Sequence, residues 1–254
     1  MIEEKKQNNC KLFGLLGKNI SYSFSSGYFK EKFEELKLED CKYQNFDMQS
    51  ITEFPDVLLQ NNPLCGLNVT IPYKEEVMQY LDKIDSKAKK IGAVNTIKFL
   101  KSGKLKGYNT DVFGFSNSLK PLVEVHHTKA LILGTGGASK AIAFALKKLQ
   151  IDFVFVSRNP LGENQIAYSD LTQAIISEHT IIINSTPLGT FPETNLCPNI
   201  PYQHITSKHL LYDLIYNPAI STFLKKGKNN GAIIKNGLEM LQLQAEKSWQ
   251  IWNR

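Results

Sequence analysis

Residues 129–150 read KALILGTGGASKAIAFALKKLQ. The first five form an apolar strand. The next six, Gly134-Thr135-Gly136-Gly137-Ala138-Ser139, form a glycine-rich turn. The rest, together with Ala138 of the turn, sets Ala138, Ala141, Ile142, Ala145, Leu146 and Leu149 on one face at helical spacing. A strand, a glycine-rich turn and an amphipathic helix in immediate succession are the sequence form of a dinucleotide-binding unit. Gly134 and Gly136 let the backbone turn tightly and approach a pyrophosphate, while the helix start offers N–H groups and positive partial charge. Ser139 stands in place of the usual third glycine and is still small enough for close packing. Taken alone, such a turn is equally well explained as a plain strand–helix connection; its context favours the cofactor.

The second strand, residues 151–156, ends in Ser157-Arg158-Asn159. A site for NAD carries an acid near this point, roughly 20 residues on, for the ribose 2′-hydroxyl. Here no acid stands there. Arg158 suits a 2′-phosphate through forked, charge-assisted hydrogen bonds, with Ser157 and Asn159 adding neutral ones. The expected cofactor is therefore NADP(H). The alternative is that Arg158 is only a solvated strand end.

Further strands follow at residues 180–184 and 210–215. Before this unit, apolar runs at 11–17, 41–46 and 64–71 alternate with helical patterns at 26–36, 51–60 and 74–81. Residues 93–100 and 105–108 flank a Lys-Ser-Gly-Lys hairpin signal, and residues 112–119 are helical. Strands alternating with helices predict an α/β protein with mainly parallel sheets. Two domains are expected: residues 1–113 with the last helix, 237–254, and residues 114–236. That helix carries Leu238, Leu241, Ala245, Trp249 and Trp252 on its apolar side.

The chain has 254 residues, 42% of them hydrophobic and 21% charged, with a net charge of +6. This composition fits a globular protein with a sizeable core and excludes a disordered one. The lysines are scattered, without the basic helix or aromatic-interleaved stretch of a nucleic-acid binder. An anionic small molecule is the easier partner, with no nucleic acid and no membrane, and a monomer or homodimer is expected. Cys10, Cys41, Cys65 and Cys197 lie far apart without metal-ligand spacing, so reduced thiols and no metal are expected. The start of the chain lacks a signal-type apolar stretch, and no segment reaches the roughly 20 apolar residues of a membrane span. The expected location is the cytoplasm.

Polar residues gather beside the apolar strands: Ser23 and Ser25; Asn68, Thr70 and Lys74; Asn95, Asn109, Thr110 and Asp111. Singly, each is well explained as a cap, a turn or a solvated lysine. Together they suit a polyhydroxy acid. Hydride transfer to a ketone leaves a developing alkoxide that needs a proton donor. Lys74 meets that need, with Asp111 to orient it. No zinc-ligand set is present.

These motifs resemble the shikimate dehydrogenase family over nearly the whole chain. Residues 20–29 (ISYSFSSGYF) are similar to its substrate loop, which implies that Ser23 and Ser25 bind a carboxylate. Residues 68–75 (NVTIPYKE) resemble its most specific signature, placing Thr70 on the substrate and Lys74 as the catalytic lysine. Residues 92–96 (GAVNT) imply a substrate role for Asn95, and Asn109-Thr110-Asp111 implies that Asp111 pairs with the lysine. Residues 134–139 resemble the cofactor turn, which brings in Thr135, Gly137 and Ala138. Residues 184–189 (NSTPLG) resemble the loop on the nicotinamide side and bring in Thr186. Residues 213–218 (DLIYNP) imply Leu214 on the cofactor and Tyr216 near the substrate. Residues 236–245 (NGLEMLQLQA) imply Gly237 by the cofactor and Gln244 on the substrate.

The resemblance implies reduction of 3-dehydroshikimate to shikimate by NADPH, in an N-terminal α/β substrate domain and a Rossmann-like cofactor domain. Three departures stand out. Tyr22 replaces a usual His, Ser26 replaces a frequent Pro, and only a short segment (PLGENQIA, 160–167) follows Arg158 where the family has a second Arg and a full helix. A shortened crossover is therefore expected. Two other readings remain: a quinate/shikimate dehydrogenase able to use NAD, and a non-catalytic shikimate-binding sensor.

Overall fold

The computed structural model describes residues 11–20, 23–61 and 63–254; Cys10 and Tyr22 lie outside them. The chain divides into two compact units: Met1–Asn109 with Ser248–Arg254, and Thr110–Lys247.

In the first unit, β1 (Lys11–Gly17) leads to α1 (Phe24–Glu35), β2 (Cys41–Asp47), a 3-10 turn (Ile51–Glu53) running into α2 (Phe54–Gln60), and β3 (Leu64–Val69). A 3-10 turn (Glu76–Tyr80), β4 (Lys83–Ile84), α3 (Ser86–Ile91), β5 (Thr96–Phe99) and β6 (Leu105–Tyr108) complete it. The sheet order is β2-β1-β3-β5-β6-β4. Strand β1 is parallel to both β2 and β3, and β5 runs antiparallel between β3 and β6. Leu16, Leu67, Val69, Val77, Val94 and Ile97 meet in its core.

Three sequence expectations change here. The helix expected over 74–81 is a 3-10 turn, because the Lys74 carbonyl that would accept from residue 78 is taken by the Val94 N–H at 2.7 Å, and Met78 N–H turns to Glu75. Leu36, expected on the buried face of α1, is its exposed C-cap. Helix α3 was not expected: six residues are too few to show a period. Its ends are set by Asp85, which accepts from Lys87 N–H, and by Gly92, whose φ of 75° closes the last turn.

The second unit runs α4 (Asp111–Leu119), β7 (Lys129–Leu133), α5 (Gly137–Lys148), β8 (Asp152–Ser157), β9 (Gln165–Ala167), α6 (Gln173–Glu178), β10 (Ile181–Asn184), β11 (Leu210–Asp213), α7 (Thr222–Asn229) and β12 (Ile233–Lys235), and enters α8 (Leu238–Trp252). Its sheet is wholly parallel, in the order β12-β11-β10-β7-β8-β9. Both faces are covered: Ala130 and Ile132 of β7 enter one core, Leu131 and Leu133 the other. The chain leaves β7 toward β8 and β9, then crosses to β10 on its other side. That reversal is the switch point where open α/β sheets bind ligands. The shortened crossover is present: β8 joins β9 without an α-helix.

Helix α8 was assigned whole to the first unit on sequence. Instead, it is divided. Met240 joins the second unit's core, whereas Trp252 packs against Phe13 and Phe29 and donates Nε1–H to the Ile97 carbonyl at 3.0 Å in the first. No helix among the described residues is long and apolar enough to cross a membrane.

Candidate active site

Gly134 ends β7 with φ of 105°, a left-handed value that suits glycine. A β-carbon there would meet Ser185 Oγ at 3.0 Å and Thr186 Cγ2 at 3.2 Å, so the turn lies directly against the end of β10. Gly136 is the N-cap of α5 in extended backbone, and no side chain caps that helix. A β-carbon on Gly136 would meet open space, and Thr135 is exposed. Ser139 turns its hydroxyl inward to the Gly136 carbonyl at 2.6 Å. Gly137 and Ala138 begin the helix. The helix start thus keeps N–H groups facing an open, side-chain-free surface, which fits a pyrophosphate.

Gly134 N–H donates to the Val156 carbonyl at 2.9 Å, which sets the turn beside the end of β8. There Ser157 Oγ accepts from Asn159 N–H at 3.2 Å, and Arg158 is exposed. Tyr168 lies near enough to feel Arg158: burial raises its phenol pKa and the guanidinium lowers it. An exposed guanidinium beside the turn fits a 2′-phosphate.

On the other side of β7, Asn184 Oδ1 accepts from Thr186 N–H at 3.0 Å and from Thr186 Oγ1 at 2.6 Å. Asn184 Nδ2 donates to Asp213 Oδ1 at 3.0 Å. The Asp213 carboxylate is fully buried and also accepts from Ile215 N–H and Ser221 Oγ. Burial pushes it up to about 6, against the pull of these hydrogen bonds. Leu214 follows, with Gly237 packed on its main chain. Tyr216 lies half-buried two residues on. Thr110 Oγ1 donates to Gln244 Oε1 at 3.4 Å, beside buried Asp111 at the start of α4.

The first unit holds a separate polar network. Ser23 caps α1 by accepting from Ser25 N–H at 3.2 Å. Ser25 is buried and hydrogen-bonds to the Tyr43 hydroxyl, whose pKa burial drives far upward. Tyr43 donates to Asn68 Oδ1 at 2.9 Å, and Asn68 Nδ2 donates to Ser248 Oγ at 2.9 Å. Thr96 Oγ1 meets Ser248 Oγ at 2.8 Å and Asn95 Oδ1 at 3.1 Å. Ser25 and Asn95, assigned to the substrate from sequence, are thereby linked through groups that sequence reasoning passed over: Tyr43, Thr96 and Ser248. Thr70 N–H donates to the Leu16 carbonyl and Asn109 Nδ2 to the Ala93 carbonyl. Lys74 is partly exposed just beyond β3. Among the described residues, no group of three or more His, Cys, Asp or Glu could hold a metal ion.

Residues 15–97 match the family model described as the shikimate dehydrogenase substrate binding domain. The shikimate dehydrogenase (NADP(+)) of Methanococcus vannielii is 37% identical over 262 residues, which covers 95% of this chain and 90% of that protein. The crystal structure of a shikimate dehydrogenase from Peptoclostridium difficile has a TM-score of 0.84 and 38% identity, over 96% of this chain and 91% of that one. The Thermus thermophilus enzyme, solved in complex with NADP(H) and shikimate, has a TM-score of 0.84 and 30% identity, over 95% and 93% of the two chains. With two relatives above a third identical over almost their whole length, the chain belongs to the shikimate dehydrogenase family.

Proposed function

We propose that this protein catalyses the reversible, NADPH-dependent reduction of 3-dehydroshikimate to shikimate, acting in the cytoplasm on small-molecule substrates as a monomer or homodimer. One observation carries the reading beyond likeness. In each unit, most of the candidate residues follow the carboxyl ends of parallel strands. Ser23 and Ser25 follow β1, and Thr70 and Lys74 follow β3. The glycine turn follows β7, Arg158 β8, Thr186 β10 and Leu214 β11. Ligands of open α/β sheets bind outside those ends.

The first unit supplies Ser23, Ser25, Thr70, Lys74 and Asn95 for the substrate, and the second supplies the cofactor groups together with Asp111, Tyr216 and Gln244. NADPH, when bound, supplies the hydride that reduces the ketone. Lys74 Nζ holds the proton needed by the developing alkoxide, and Asp111 orients Lys74 and a ring hydroxyl. Ser23 and Ser25 bind the carboxylate, and Thr70, Asn95, Tyr216 and Gln244 the ring. Residues 134–138 receive the pyrophosphate, Ser157, Arg158 and Asn159 the 2′-phosphate, and Thr186, Leu214 and Gly237 the nicotinamide side.

The test is shikimate oxidation with NADP+, followed by nicotinamide absorbance. Lys74→Met is expected to lower kcat by about 10²–10⁴-fold, the range for a positioned acid–base group. Near-wild-type kcat would remove Lys74 from its role. The short β8–β9 link favours a second reading, use of NAD or quinate, because it leaves no helix to carry a further cation beside Arg158. Relative kcat/KM for the two cofactors and the two substrates separates the readings.

A further inference from the structure

We infer that Asp213 is a positioning residue for the nicotinamide-side loop: its carboxylate fixes which way the Asn184 amide faces, and that amide holds Thr186. The inference rests on the proposed function, which gives Thr186 and Leu214 to the cofactor.

The hydrogen bonds have one consistent direction. Asp213 accepts from Asn184 Nδ2, Ile215 N–H and Ser221 Oγ. An ionised carboxylate only accepts, so the Asn184 nitrogen must face it and the Asn184 oxygen must face away. That oxygen takes both the N–H and the hydroxyl proton of Thr186. With its proton committed, the Thr186 hydroxyl accepts from Leu188 N–H at 3.3 Å. The Thr186 methyl is then left toward the Gly134 turn, where a β-carbon would meet it at 3.2 Å. A reversed Asn184 would set its own N–H groups against those of Thr186. Ser221 anchors the far side: its Oγ accepts from Leu224 N–H as the N-cap of α7, so its one proton goes to Asp213. Asp213 and Asn184 are both fully buried, and the main reaction scheme uses neither.

The test is calorimetric titration of the full chain with NADP+, well below the unfolding temperature of each variant. Asp213→Leu removes every acceptor at similar volume and is expected to weaken NADP+ binding by about tenfold or more, the scale of one buried hydrogen bond left unmade. Asp213→Asn can keep an oxygen toward Asn184 and turn its nitrogen to Ser221, whose hydroxyl then accepts. It is expected to stay within about threefold of wild type. Rescue by the amide distinguishes orientation from mere filling of space. If Asp213→Leu does not fold, Ser221→Ala takes its place, with an expected loss of about threefold. Binding unchanged in the folded Asp213→Leu variant, or in Ser221→Ala where it is the substitute, overturns the proposal. Wild-type chain that binds no NADP+ overturns the functional reading, and this inference with it; wild-type binding with unaffected variants overturns the inference alone.

Discussion

Gly237 sits against the main chain of Leu214 so closely that a β-carbon on it would fall 2.1 Å from the Leu214 carbonyl oxygen and 2.6 Å from its carbonyl carbon. Its own N–H donates to the Ile215 carbonyl at 3.0 Å, which pins the start of α8 to the end of β11. The obstacle is backbone rather than a flexible side chain, so it cannot simply swing aside. Gly237→Ala is expected to cost about 1–3 kcal/mol by overpacking, with weaker NADP+ binding because Leu214 must move. Urea unfolding and an NADP+ titration check both effects. Unchanged stability would show that this junction yields freely.

Ser248 gives a second expectation. It is fully buried, and its hydroxyl meets Asn68 Nδ2 and Thr96 Oγ1 at 2.9 and 2.8 Å. Ser248→Ala takes a partner from two buried polar groups, which costs about 1–3 kcal/mol. Asn68 also anchors Tyr43, which bonds to Ser25. The KM for shikimate is therefore expected to rise while the KM for NADP+ holds. An equal rise in both would separate this network from the substrate.

These two cases mark what a sequence reveals. The unit around Gly134 was legible because its strand, turn and helix are adjacent in the chain and each has its own period. Strands β1, β2 and β3 were legible for the same reason. The last helix was legible as a helix, and Ala245 and Trp252 of its expected apolar side are buried; Leu238 is exposed and Leu241 and Trp249 are half-buried, whereas the polar Gln244 and Ser248, not expected on that side, are buried. A polar residue is buried when a distant partner satisfies it, and Thr110 and Asn68 lie 134 and 180 residues away. The same applies to Asp213. It interrupts the apolar run LLYDLI, the one local sign that a charge must find partners inside, but nothing nearby says that Asn184 and Ser221 are those partners. The glycine turn and the segment carrying Lys74 were readable as motifs; the hydrogen bonds of Asp213, Asn184 and Thr186 were not.

Arg158 is where cofactor choice is open to measurement. It is exposed at the end of β8, and the link to β9 is short. A charge-assisted bond to a 2′-phosphate is worth about 1.5–3 kcal/mol. Arg158→Leu is expected to lower kcat/KM with NADP+ by about 10–100-fold and leave kcat/KM with NAD+ nearly unchanged. An equal loss with both cofactors would mean that Arg158 does not read the phosphate.

Two buried groups in the second unit pull its stability in opposite directions as pH falls. His127 is buried, and its Nδ1 accepts from Glu124 N–H at 2.9 Å, which needs a lone pair and so a neutral ring. Burial, then neighbouring His126, lowers its pKa. A base with a lowered folded pKa contributes stability that is present above its ordinary value, about 6.5, and is lost as pH falls through the lowered one. Asp213 is the reverse. Burial pushes its pKa up to about 6, so its contribution is full below the ordinary aspartate value and is lost as pH rises through about 6. Between about pH 7 and about pH 5, Asp213 should add about 1 kcal/mol while His127 subtracts. Asparagine at position 127 keeps an acceptor for Glu124 N–H but cannot be protonated, so His127→Asn is expected to gain stability relative to wild type over that interval. Asp213→Asn is expected to lose its relative gain over the same interval. Guanidinium unfolding at the two pH values measures both. Protonated Asp213, like asparagine there, keeps one oxygen toward Asn184 and can donate to Ser221, so NADP+ affinity is expected to stay within about threefold as pH falls through about 6, while unfolding becomes harder. A much larger loss of affinity on acidification would show that only the ionised form orients Asn184.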